Sequence, residues 1–381
     1  MREGWTYKKL GEVCEIVMGQ SPDGNSINEN EGIEFHQGKT CFGERFLTHS
    51  SLYTSKPAKF AEANSVLLCV RAPVGFPNIT KRRICIGRGL CSLVGSEEIS
   101  NMFLFYSLLG KQGYFEKNST GSTFKAISSK VISDANIPIP PLSEQQSIVA
   151  ELDKINELIS LKKAQLSDLD SLAQSIFYDM FGDPIENEKG WEVKKMMDLC
   201  TNIVDCPHST PKKSDSVTDY PCIRTSELKG GSISWDTMQY LEKEEYEIRI
   251  ARLKPEAGDI VFGREGTIGD AVILPKGYNF SLGQRTMLLR ANTEIISNVF
   301  LHRVILSEWM KQQIEYVNVS STVAHVNIKD FKQFTVPLPP LPLQQEFAKR
   351  IELIEQQKAQ ISSTIKDLET LLASRMQYWF D

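Results

Sequence analysis

The chain has 381 residues, 41% hydrophobic and 24% charged, with a formal net charge of −5. That length suits two globular domains better than one core, and the composition excludes collagen-like, disordered and disulfide-scaffold chains. The acidic balance excludes a chain that grips nucleic acid alone through bulk positive charge, because neutralised phosphates supply most non-specific affinity.

No apolar run of signal-peptide type follows the opening residues, and no stretch of about 18 uncharged apolar residues occurs. A cytoplasmic chain with no membrane association is expected. Cys14, Cys41, Cys69, Cys85, Cys91, Cys200, Cys206 and Cys222 never form CxxC pairs, which predicts reduced thiols and no metal site. Charge is uneven: residues 1–142 carry a net +3, 143–184 −5, 185–342 −2 and 343–381 −1.

In chain order, Gly4, Trp5, Lys8, Lys9 and Cys14 open a frame that returns as Gly190, Trp191, Lys194, Lys195 and Cys200, five identities in eleven positions at an offset of 186. The variable region that follows reads as short strands, such as residues 66–70, and one helix over 102–117 striped by Phe103, Tyr106 and Leu109. Its Gly38, Lys39 and Thr40 resemble the end of a phosphate loop. Ile33 stands where that loop needs glycine, so no nucleotide site is predicted.

Residues 137–146, read as IPIPPLSEQQ, return as VPLPPLPLQQ at 336–345, six identities in ten at an offset of 199. Pro138, Pro140 and Pro141 force an extended approach, so a helix can begin only after them, and Ser143 with Gln146 fits a capping box. Pro342 stands where the second copy would need the capping serine.

A heptad seam follows each junction: Ile148, Leu152, Ile155, Ile159, Lys162, Leu166, Leu169, Ala173, Ile176 and Met180, then Phe347, Ile351, Ile354, Lys358, Ile361, Ile365, Leu368, Leu372, Arg375 and Trp379. Two long helices are predicted, the first stopping at Gly182 before Pro184. At 1.5 Å per residue each spans about 57 Å, longer than a compact domain, so its partner should be its own copy. Chain closure favours an antiparallel pair, which would bring Asp381 back toward Gly4.

The second variable region reads as strands including residues 259–262 and a helix over 299–317, striped by Phe300, Val304 and Trp309. Between the frames only short pieces agree: residues 71–75 (RAPVG) with 264–269 (REGTIG), and Gly121, Ser122 and Thr123 with Ser320, Ser321 and Thr322. The glycines at 263, 266 and 269 lack dinucleotide spacing and suit a strand–turn–strand. His36, His49, His208, His302 and His325 lack metal-ligand spacing. No catalytic constellation and no metal site emerge.

Basic residues in both variable regions are candidates for DNA contact: Arg71, Lys81, Arg82, Arg83 and Arg88, then Lys212, Lys213, Arg249, Arg252, Arg264, Arg285 and Arg290. Arginine is the more informative, because its fork can read guanine in the major groove. Beside the seams, Leu158, Leu161, Phe177, Leu353 and Leu371 offer spare apolar surface for a partner.

The doubled tryptophan openings, the two PxPPLxxQQ junctions with their helices, and Gly121–Thr123 together resemble the specificity subunit of type I restriction-modification enzymes, over almost the whole chain. The resemblance implies an α+β fold in which two globular α/β target-recognition domains, 1–142 and 185–342, are joined by two long antiparallel coiled-coil helices, 143–184 and 343–381. The internal repeat would be pseudo-twofold. It further implies a subunit without catalysis, whose domains each read half of a bipartite, asymmetric site in double-stranded DNA while the coil sets the spacer.

By the same resemblance, two DNA-methyltransferase subunits dock on the helices and on the junctions at Gln145, Gln146, Gln344 and Gln345, and restriction subunits complete the nuclease. No cofactor is then expected on this chain: S-adenosylmethionine and ATP would belong to the partners. The competing reading is a non-catalytic cytosolic coiled-coil scaffold that binds only proteins.

Overall fold

The computed structural model describes residues 4–121, 125–318 and 325–380. They form two compact units: Met1–Ala164 with Ser362–Asp381, and Gln165–Ile361. Each unit therefore takes part of both long helices, Leu142–Phe181 and Leu341–Phe380, so the boundaries expected at 142 and 342 are not where the compact units divide. Ser122, Thr123, Ser320, Ser321, Thr322 and Asp381 lie outside the described residues.

In the first unit, Thr6–Lys9 pairs antiparallel with Asn136–Ile139. A four-stranded antiparallel sheet runs in the order Cys14–Met18, Leu90–Gly95, Val66–Cys69, Pro77–Ile79. A five-stranded sheet follows the order Ile27–Asn28, Tyr53–Thr54, Ile33–His36, Ile84–Ile86, Phe60–Ala61, with Ile33–His36 and Ile84–Ile86 parallel. The second unit repeats the first two of these features: Glu192–Lys195 pairs with Thr335–Leu338, and four strands run Cys200–Asp205, Thr286–Ala291, Ile260–Gly263, Ala271–Ile273. Its remaining sheets are smaller: three strands with Pro221–Ile223 parallel to Ser281–Leu282, and the antiparallel pair Leu228–Lys229 and Ser232–Ile233. The frame is thus common, and the units differ in their added strands.

The seam holds throughout, since none of its twenty positions is exposed. In the first unit Glu151 receives Trp379 Nε1 at 3.1 Å and Arg375 Nη2 at 3.0 Å, while Lys163 meets Glu369 at 3.4 Å. In the second, Lys358 meets Asp170 at 2.8 Å, and Phe177 and Phe181 pack on Phe347. Early turns of one helix meet late turns of the other in each unit, so the pairing is antiparallel. The polar seam residues Lys358 and Arg375 are answered by carboxylates. Near the first unit's opening, Trp5 stacks on Trp379 with ring centroids 6.1 Å apart.

Three local expectations are corrected. The first helix already begins at Leu142, so Ser143 lies inside its first turn instead of capping it; Pro141 C=O accepts from the Glu144 and Gln145 N–H groups at 2.9 and 3.0 Å. In the second copy Pro340 C=O does the same for Leu343, and Pro342 is harmless because a first-turn N–H has no helical partner anyway. The helix expected over 102–117 is two, Asn101–Gly110 and Gln112–Lys117, because Lys111 leaves the helical region where Gly110 backs onto Phe380. The helix expected over 299–317 is likewise two, Asn298–Ile305 and Glu308–Asn318, with Ser307 C=O accepting from Met310 and Lys311 to start the second. At the end of the first long helix Gly182 has φ +75° and its N–H donates to Tyr178 C=O at 2.8 Å, the stop its sequence predicts.

All eight cysteines are free thiols, and burial pushes Cys14, Cys69 and Cys200 up to about 12. Among the described residues no helix is long and apolar enough to cross a membrane.

Candidate nucleic-acid interface

Four of the twelve candidate cations are committed to the protein interior. Arg82 donates to the buried Glu34 carboxylate, with Nη2 to Oε1 at 2.6 Å, and to the Leu47 and Thr48 carbonyls. Burial alone would raise the Glu34 carboxyl, yet the Arg82 fork, the Ser50 N–H and the neighbouring His36 ring bring it down to about 2. Arg249 is 3% exposed and donates to Ser209 C=O at 2.7 Å. Arg290 grips Asp259 at 2.8 and 2.9 Å. Arg264 pairs with Asp205 beside the Ile260–Gly263 strand. A sequence count of positive residues cannot separate such struts from free charges, because the partners lie 31 to 59 residues away.

The other eight are exposed. Lys81 lies 4.0 Å above the Phe46 ring, Arg83 lies 4.0 Å above Phe60 and pairs with Glu62 at 3.0 Å, and Arg285 meets Glu265 at 3.3 Å. Lys212, Lys213 and Arg252 stand on the surface of the second unit.

Arg71 and Arg88 are brought together by the backbone. Val70 N–H donates to Gly89 C=O at 2.9 Å, Gly87 N–H to His36 C=O at 2.8 Å, Gln20 N–H to Ile86 C=O at 3.0 Å and Ala72 N–H to Lys125 C=O at 3.0 Å. These bonds bring the backbones of exposed Gln20, Gln37, Arg71, Arg88 and Lys125 near one another in the first unit, with exposed Lys39 two residues beyond Gln37. Sequence reading missed Gln20, Gln37, Lys39 and Lys125, since nothing in their spacing marks loops that only the sheet assembles.

Across residues 2–170 and 188–370 the sequence matches the family described as type I restriction modification DNA specificity domain. The chain belongs to that specificity family. Two relatives come from Methanocaldococcus jannaschii. A putative type I restriction enzyme MjaX specificity subunit is 39% identical over 46% of this chain, which spans only 42% of that protein. The type I restriction enzyme MjaIX specificity subunit is 24% identical over 90% of this chain and 85% of its own length. The crystal structure of a type I restriction-modification S subunit from M. genitalium shares the fold at TM-score 0.61 and 15% identity, over 99% of this chain and 96% of that one.

The residues expected at a docking surface of this specificity family member separate into two groups. Gln146, Gln345, Leu161, Leu353 and Leu371 are exposed and Leu158 is half-buried. Gln145 and Gln344 are fully buried: each accepts a backbone N–H, from Ser100 and Ser297, and donates to the carbonyls of Pro140 and Pro339. They hold the helix starts to the globular core and have no surface to offer. Phe177 is not spare surface either, because it packs among Phe181, Phe300 and Phe347.

Among the described residues no group of three or more potential ligands could hold a metal ion.

Proposed function

We propose that this chain is the DNA sequence-specificity subunit of a type I restriction-modification complex, a recognition component without catalysis of its own. The observation that carries the reading is the doubled frame: both units repeat the four-stranded sheet, the buried glutamine and the antiparallel helix pairing, while their added strands and exposed polar faces differ. Two like frames with unlike faces suit two different half-sites, read in double-stranded DNA, with the paired helices fixing the spacer between them.

Two methyltransferase subunits would dock along the long helices, where Gln146, Gln345, Leu161, Leu353 and Leu371 are exposed, and restriction subunits would join for cleavage. S-adenosylmethionine and ATP would be held by those partners. The flipped adenine would likewise be handled by a methyltransferase subunit, in the cytoplasm where the DNA lies. The modest net charge of −5 agrees with a phosphate grip shared between subunits.

The test is methylome sequencing of cells carrying the partner methyltransferase with and without this chain, joined to anisotropy of the assembled complex on duplexes of differing sequence. A bipartite methylated motif that disappears with the chain is expected. Methylation that is unchanged, or binding without sequence preference, would refute the reading.

A further inference from the structure

The two units share one tight turn that the sequence repeat does not reveal. In the first unit Gly87 N–H donates to His36 C=O at 2.8 Å, and Val70 N–H donates to Gly89 C=O at 2.9 Å. In the second, Gly283 N–H donates to Ile223 C=O at 2.6 Å and Arg264 N–H to Arg285 C=O at 2.9 Å. His36 and Ile223 each end the strand that runs parallel to the one entering the turn. Gly87 therefore corresponds to Gly283, Arg88 to Gln284 and Gly89 to Arg285.

Both turns are pressed onto what lies beneath. A Cβ on Gly89 would fall 2.1 Å from Gln37 O, one on Gly87 3.0 Å from the Phe35 ring, and one on Gly283 2.2 Å from Arg224 Cγ. The intervening side chain stands on a fixed base, exposed for Arg88 and half-buried for Gln284. Among the described residues Arg88 has no carboxylate partner; its Nε donates to Ser21 Oγ at 3.4 Å. In the second unit Gln284 Nε2 donates to Thr210 Oγ1 at 2.9 Å and to His208 C=O at 3.4 Å, which orients the amide. Beside it a cavity of about 170 Å³ is lined by Cys206, His208, Arg264, Glu265, Gln284 and Arg285. Among the described residues the buried Nε of Arg264, in this lining, and the buried Oδ1 of its ion-pair partner Asp205 have no hydrogen-bond partner. Arg285 holds φ +64°, a region a bulky side chain rarely takes.

We infer that this turn is the base-reading position of each unit, Arg88 recognising a guanine in one half-site and Gln284 an adenine in the other. The inference rests on the DNA-specificity reading proposed above. Its chemistry is the major-groove code: a guanidinium fork matches guanine O6 and N7, and a carboxamide matches adenine N6 and N7. A rigid turn carrying one oriented polar side chain loses little freedom on binding, which makes the contact selective. One frame position with two different side chains would by itself make the two halves of a target unlike.

The test uses the chain assembled with its methyltransferase partners, as wild type, Arg88→Ala and Gln284→Ala, read by methylome sequencing and by anisotropy on a site library. Arg88→Ala should weaken cognate binding about 10- to 100-fold. It should relax a single guanine in one half-site, with the other half-site, the melting temperature and binding to unrelated duplex unchanged. Gln284→Ala should relax an adenine in the opposite half. An equal loss on all duplexes would mark Arg88 as a phosphate contact and overturn the inference, as would an unchanged motif or relaxation of the same half by both variants. A wild-type complex with no sequence preference would instead remove the functional reading beneath it.

Discussion

The Ser100 N–H donates to the Gln145 Oε1 atom at 3.0 Å, tying the start of the first long helix to the cap of Asn101–Gly110. Gln145 Nε2 completes the latch on the Glu98 and Pro140 carbonyls at 2.7 and 2.9 Å. Gln145→Ala would leave buried donors and acceptors unpaired, so a loss of about 3 kcal/mol in the first unit is expected, against under about 0.5 kcal/mol for exposed Gln146→Ala. Urea unfolding of both variants checks this; equal effects would mean the latch is dispensable.

Arg82 belongs to the first unit's interior, and its removal should act on stability and not on sequence preference. Arg82→Ala leaves the 8%-exposed Glu34 carboxylate without its fork, for an expected cost of about 3 kcal/mol. Because the folded Glu34 carboxyl sits at about 2 against an ordinary 4.5, its contribution is full above pH 4.5 and is lost as pH falls toward 2. Unfolding midpoints between pH 5 and 3 should therefore fall less steeply in the variant than in wild type.

His302 gives the second unit its own acid sensitivity. Burial, opposed by its hydrogen bond to Ala271 C=O and reinforced by Arg303, holds the ring down to about 4 from 6.5. The unfolded chain takes up the proton first, so stability is full above pH 6.5 and declines as pH drops toward 4, by about 3 kcal/mol in all. His302→Gln should flatten that slope in urea titrations, and a slope identical to wild type would disprove the assignment.

Phe347 packs within 5.2 and 5.7 Å of the Phe181 and Phe177 ring centroids and is fully buried. Phe347→Ala should cost about 3–5 kcal/mol. Circular dichroism with a tryptophan probe in each unit should show the loss in the second unit's transition.

The long helices were legible because a repeated 3.5-residue pattern survives any change in the surrounding loops. The placement of Phe177 was not: toward its end the first helix buries Ala173, Phe177 and Phe181 at spacings of four, since Phe300 of the globular part packs there as well as Phe347. Ion-pair struts such as Arg290 with Asp259 escaped because their partners are set by sheet register. The shared turn escaped because only a glycine is common to its two copies, Gly87 and Gly283.

Phe380 lies 3% exposed against Phe103 and Gly110, so residues 362–380 complete a core begun by residues 5–160. A ribosome must release residues 362–380 before the unit that holds residues 5–160 can close, whereas residues 165–361 are all available sooner. A premature stop codon near position 360 would therefore strike the unit built on residues 5–160, hundreds of codons upstream.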